Sequence, residues 1–140
     1  MILIALVLIA VLLGIALLHL AWGLGLPWPG PNETARVATV IGIRGQTRMP
    51  GFLPSAAVAA ALVAVAGLVV LSGMTAMPLA RLALLAASAV FLGRGIAPWI
   101  PAWRRLTPQQ PFARLDRRLY GPLCLLIGAG LLLIVFGTAA

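Results

Sequence analysis

From Ile2 to Leu18 the chain runs for 17 residues without a polar side chain, and His19 is the one polar break before Leu24. A helix needs about 20 consecutive apolar residues to cross a bilayer. In lipid, backbone N–H and C=O groups must be satisfied within the segment, so such a run becomes a helix. No charge precedes it, and it exceeds the apolar core of a secretory signal, so it reads as a retained membrane span.

Three more runs follow. Residues 53–74 are rich in alanine, and Ala56, Ala60 and Ala64 lie four apart. A ridge of that spacing is expected to let a neighbouring helix approach closely. Residues 119–138 form another apolar stretch. The remaining run is harder to place, because only 12 residues separate Arg81 from Arg94. A helix over that interval covers roughly 20 Å, short of the ~30 Å hydrocarbon core. The apolar character resumes after Arg94, as Gly95-Ile96-Ala97-Pro98-Trp99, and gives a span of about 79–101. Arg94 then either snorkels to an interface or lies inside the span, with Pro98 and Pro101 kinking or ending the helix. The fold class expected is therefore an all-α integral membrane protein. It has one domain over 1–140, with four transmembrane helices (2–24, 53–74, 79–101 and 119–138) in an up-down bundle.

Composition narrows the function. Hydrophobic residues make up 63% and charged residues 9% of the chain, where soluble domains carry about 25% charged. All ten basic residues are arginine, against two acids, Glu33 and Asp116. Eight of the ten fall in the two longer connections, roughly 27–52 and 98–118. Arginine excess marks the cytoplasmic side, so both termini are expected outside, in a cell membrane. With no soluble basic fold in view, nucleic acid is not an expected partner. Membrane lipid is, together with a small amphipathic or anionic ligand, and a homo-oligomer is left open. One cysteine, Cys124, allows no internal disulfide, and no metal or cofactor site is expected.

The polar residues near the spans are the candidates for function. His19 and Trp22 share a helix face. Either Trp22 joins Trp28, Trp99 and Trp103 in an interfacial belt while His19 bonds a neighbour, or His19 faces a ligand as a proton donor, proton acceptor or axial ligand. Arg94 inside a span costs about 2.5–3.5 kcal/mol on insertion scales, so it is expected to find an internal carboxylate or to await an anionic or carbonyl-bearing ligand. At about 100° per residue, Phe112, Leu115, Asp116, Leu119 and Tyr120 share one face of a short interfacial amphipathic helix, and Arg114, Arg117 and Arg118 the other. Asp116 is thus aimed into the bundle, for an ion pair with Arg94 or a neighbouring arginine or for a ligand. Gly121-Pro122 is expected to end that helix and start the last span, with Cys124 one turn in as a small hydrophobe, or as a site of palmitoylation or redox chemistry. Thr107-Pro108-Gln109-Gln110 reads as a helix-starting capping box, and Asn32-Glu33-Thr34 as a turn after Pro31 rather than a used glycosylation sequon.

HLAWGLG at the end of the first span, FLGRGIAPW in the third and FARLDRRLYGPLCLLIG before the fourth together resemble a family of small bacterial four-span membrane proteins, the domain of unknown function 3995. The resemblance covers essentially the whole chain. It implies a four-helix membrane bundle in which His19, Trp22, Arg94, Asp116, Tyr120, Pro122 and Cys124 occupy the family's positions. Members often carry an acidic residue after the arginine, where this chain has Gly95-Ile96-Ala97-Pro98. No activity comes with the family.

Three functions follow as expectations. The first is binding or transport of a small amphipathic or anionic molecule in a polar pocket at one end of the bundle, lined by His19, Trp22, Arg94, Asp116 and Tyr120, with Pro122 and Cys124 structural. The second is an enzyme that uses His19 and Asp116 as an acid–base pair on a lipid-soluble substrate. The third is a structural or accessory subunit of a membrane assembly.

Overall fold

The computed structural model describes residues 1–74 and 77–137, and those residues are all-helical, with no strand. The helices are α1 (Ile2–Gly23), α2 (Glu33–Val40), α3 (Phe52–Met74), α4 (Pro78–Ile96), α5 (Pro101–Leu106), α6 (Phe112–Leu115) and α7 (Gly121–Gly137). A 3₁₀ turn, Ala97–Trp99, extends α4, and a π turn, Asp116–Tyr120, joins α6 to α7. Four helical runs are long and apolar enough to cross a membrane: Ile2–Gly23, Phe52–Met74, Pro78–Trp99 and Phe112–Gly137. The shortest, at 22 residues, measures about 33 Å. The protein is a multi-pass membrane protein.

Packing is by pairs, α1 against α3 and α4 against α7. The core is Leu8, Leu12 and Ala16 of α1, Ala59, Leu62, Ala66 and Val69 of α3, Leu84 of α4, and Ile127, Leu131, Ile134 and Val135 of α7. Outward-facing side chains are as apolar as buried ones: Leu3, Leu53, Leu79, Val90 and Leu126 are all 70% exposed or more. That surface suits hydrocarbon and not water. The alanine ridge falls on the wrong side of α3. Its buried stripe is Ser55, Ala59, Leu62, Ala66, Val69 and Ser72, while Ala60 and Ala64 are exposed. A helix that meets lipid on one face and protein on the other shows no apolar–polar contrast, so periodicity could not choose the face.

Small residues bring α4 and α7 together. A Cβ on Gly95 would strike Leu125, one on Gly128 would strike Leu92, and one on Gly121 would strike the Gly95 carbonyl oxygen as well as that of Asp116 in its own π turn. Ser88, fully buried, donates to the Gly128 carbonyl at 2.8 Å. At one end of the bundle Met1, Ile2, Val69, Gly73 and Ile134 line a common pocket, and Arg81 Nη2 donates to the Val135 carbonyl at 3.2 Å. At the other end lie the two long connections.

Those connections form a folded cap. Asn32 caps α2 by accepting the Ala35 N–H at 2.8 Å, which gives the sequon residue a structural task. Glu33 accepts the Met49 N–H at 2.9 Å. Gly42, at φ +69°, turns the chain where a Cβ would overlap the Phe112 ring. Arg44 then donates its N–H to the Leu106 carbonyl at 2.8 Å and its side chain to the Arg105 carbonyl at 3.1 and 3.3 Å. Gln109 Nε2 donates to the carbonyls of Ile43 and Gln46 at 2.6 and 3.0 Å.

Two local expectations are corrected. The capping box does not form: the Thr107 hydroxyl donates back to Trp103 O at 2.9 Å, closing α5 rather than opening a helix. The next helix waits until Phe112, after Pro108 and Pro111. Gly121-Pro122 does not break the chain between an interfacial helix and the last span, because the helix runs unbroken from Phe112 to Gly137. A proline ring collides with the carbonyl four residues back in a regular helix. Here the turn before it is widened, and the Gly121 N–H reaches five residues back to Asp116 O. The predicted limit of the fourth span, residue 138, lies outside the described residues.

Candidate functional site

α4 ends where sequence chemistry demands. Ile100 precedes Pro101, adopts extended backbone (φ −79°, ψ 127°) and breaks the helix there. Arg94 therefore sits in the last turn of α4, where a cation complements the unsatisfied carbonyls. α5 folds back and presents Trp103, while the π turn turns Asp116 inward.

The three side chains converge. Arg94 Nη2 donates to Asp116 Oδ1 at 2.6 Å, and Trp103 Nε1 donates to Asp116 Oδ2 at 2.8 Å. The Arg94 guanidinium carbon lies 5.0 Å from the centre of the Trp103 ring, within cation–π range. Asp116 is 2% exposed, and both its oxygens are engaged. The Arg94 side chain is 31% exposed. Its Nη1 is buried without a hydrogen-bond partner among the described residues.

Beside this triad opens a cleft of about 410 Å³, whose lining includes Trp103, Arg104, Arg105, Gln110, Asp116 and Arg117, along with Thr107 and three prolines. A second depression of about 690 Å³ adjoins it, sharing Gln110 and Arg117 and adding Arg114 and Arg118. Among the described residues, Arg94–Asp116 is the one ion pair. The arginines around the two clefts thus face no carboxylate of their own chain, apart from the already doubly engaged Asp116.

His19 and Trp22 stand elsewhere. Their rings meet edge to face with centroids 5.4 Å apart. His19 Nδ1 lies 2.9 Å from Ile15 O, and Trp22 Nε1 donates to Trp28 O at 2.7 Å. Both line a separate pocket of about 180 Å³ with Ile41, Met49, Pro54, Ser55 and Val58. Tyr120 reaches out of the π turn and donates its hydroxyl to Thr39 O at 3.1 Å, tying α2 to the last helix. Its ring leans on Phe112, centroids 5.7 Å apart. Pro122 and Cys124 follow in the first turn of α7, both half-buried.

Of the five residues assigned to one pocket from sequence, Arg94 and Asp116 are in contact, His19 and Trp22 form a second group, and Tyr120 belongs to the loop cap. Sequence reasoning gave Trp103 to an aromatic belt and the paired arginines 104 and 105 to topology. A buried indole N–H needs an acceptor, and Asp116, one of two acids in the chain, was a ready one. That was the available signal for Trp103. Arg104 and Arg105 offered none, since their place beside Asp116 depends on the break at Ile100.

No curated protein and no solved structure matches the chain. A family profile does match, over residues 12–131, a range that takes in the triad, both arginine clefts and the His19 pocket. With that range matched, the chain belongs to the family described as proteins of unknown function, DUF3995.

Proposed function

We propose that the protein binds an anionic amphiphile, holding its charged head in the cleft walled by Arg104, Arg105 and Arg117. One observation carries this reading: three arginines line a cleft of about 410 Å³ whose single carboxylate, Asp116, is already taken by Arg94 and Trp103. Planar guanidinium groups suit phosphate and carboxylate oxygens. Arg94 contributes indirectly, by pairing with the Asp116 carboxylate on that wall. In the membrane we place the spans alternately up and down, with the termini outside and the arginine-rich loops at the cytoplasmic face of the cell membrane. There, basic pockets meet anionic headgroups.

The test is native mass spectrometry of the purified protein against dioleoylphosphatidylglycerol, dioleoylphosphatidylcholine and free glycerol phosphate. Retention of the anionic lipid at least tenfold above the zwitterionic one is expected. At about 1 kcal/mol per arginine near such a surface, the triple variant Arg104→Gln/Arg105→Gln/Arg117→Gln should lose on the order of a hundredfold while melting like the parent. Equal retention of the two lipids would overturn the reading. Preference for free glycerol phosphate would reassign the cleft to a soluble anion.

A second reading, a structural or accessory subunit, draws on the engagement of both Asp116 oxygens, which suits a lock as well as a site. The acid–base enzyme gains no such support. Asp116 lines the arginine cleft without His19, and His19 lines its own pocket without Asp116.

A further inference from the structure

The pocket at the end of α1 shares no wall residue with the arginine cleft, and its chemistry is different. It is lined chiefly by Trp22, Ile41, Met49, Pro54 and Val58, and no Asp, Glu, Lys or Arg reaches its wall. A charged guest would find no counter-charge on that wall. The polar side chains on the wall are His19 and Ser55, since the Trp22 N–H is spent on Trp28 O.

The Ile15 contact decides which nitrogen of the neutral His19 ring carries the proton. A backbone carbonyl can only accept, so the contact to Ile15 O at 2.9 Å puts the proton on Nδ1. In the neutral ring Nε2 is then a lone-pair acceptor. The side-chain hydrogen bond of His19 is the one at Nδ1, which leaves Nε2 for a guest. A cavity of about 180 Å³ corresponds to about six waters at about 30 Å³ each, room for one six-membered ring with a substituent. The flat indole of Trp22 and the two prolines on the wall, Pro50 and Pro54, suit a ring face better than a flexible chain.

We infer that this pocket binds a neutral, lipid-soluble phenol, whose hydroxyl donates to His19 Nε2 while its ring fills the apolar wall. Such a guest needs no charge partner, arrives through the bilayer, and satisfies the acceptor that the Ile15 contact leaves open. The site stands apart from the arginine cleft, so either reading can fail without the other.

The chain has a single histidine, so ¹⁵N-histidine labelling gives one imidazole pair with nothing to assign. The protein in phosphatidylcholine nanodiscs is titrated with phenol and, in parallel, with anisole, which has the same ring but no donor. Phenol should move the Nε2 resonance upfield along a saturating curve, leave Nδ1 in place and bind at least tenfold more tightly than anisole. In Val58→Phe, whose added ring occupies the cavity, an unchanged Nδ1 shift would report an intact α1, and the phenol response should fall about tenfold or vanish. A linear, non-saturating shift with phenol would mean partitioning into lipid alone and would overturn the proposal. So would equal responses to phenol and anisole, or a Val58→Phe response equal to that of the parent.

Discussion

Asp116 has given up nearly all its water, and what replaces it is two donors, Arg94 Nη2 and Trp103 Nε1. A buried ion pair of this kind brings little net stability over well-packed apolar residues, yet removing one partner alone strands the other charge. Arg94→Met is therefore expected to destabilise by about 3–5 kcal/mol, and Asp116→Leu by a similar amount. The double variant Arg94→Met/Asp116→Leu should recover most of the loss. The measurement is a double-mutant cycle on unfolding in mixed micelles, and additive losses would mean that the two charges do not depend on each other. The pair was legible as one option because the chain offers Arg94 so few carboxylates. The third member was legible only as an indole N–H in want of an acceptor, with nothing to bring it to Asp116. Trp103 lies beyond the Ile100 break, where helical spacing stops relating one residue to another.

At the scale of elements, the α4/α7 crossing decides where Asp116 stands. The helix from Phe112 to Gly137 passes so close to α4 and its 3₁₀ extension that a Cβ on Gly121 would lie 3.0 Å from Gly95 O and 3.0 Å from Pro98 Cγ, besides 2.8 Å from Asp116 O in its own π turn. Two of these are backbone atoms and the third belongs to a rigid ring, so none can swing aside. Gly121→Ala should then cost about 1–3 kcal/mol through overpacking. Gly67→Ala in α3 is the control, because a Cβ there meets nothing within 4 Å. Replacing a mid-helix glycine by alanine gains up to about 1 kcal/mol, so that variant should melt at or above the parent temperature. Thermal melts of the two in the same detergent make the comparison, and equal shifts would refute the tight crossing. The apolar runs were enough to read four spans and an all-helical class. They could not say which stripe of α3 is buried, because lipid accepts the same side chains as a protein neighbour. Nor could they show the π turn, since Gly121-Pro122 carries the same signal for a helix start as for a widened turn.

For the whole molecule, the charge asymmetry has two physical sources that make opposite demands. As a topology signal, the eight arginines of the long connections against Arg81 at the far end would put those connections in the cytoplasm. As ligands, they would go wherever the anion is. The cap argues that the loop positions are fixed either way. Arg44 spends its side chain on Arg105 O, Gln109 crosses to Ile43 O and Gln46 O, and Tyr120 to Thr39 O. These bonds join residues 61 to 81 positions apart, a range that no local pattern in a sequence reports. Orientation can be separated from binding because the single native cysteine is easily removed. In a Cys124→Ser background, Arg105→Cys and Met77→Cys place one thiol at each end, on side chains exposed in the structure. With a membrane-impermeant maleimide on intact cells, Met77→Cys should label at once and Arg105→Cys after lysis alone. The opposite pattern would put the arginine cap outside. Its charges would then owe nothing to the insertion rule, and the cleft they wall would have to draw its anion from the outer leaflet.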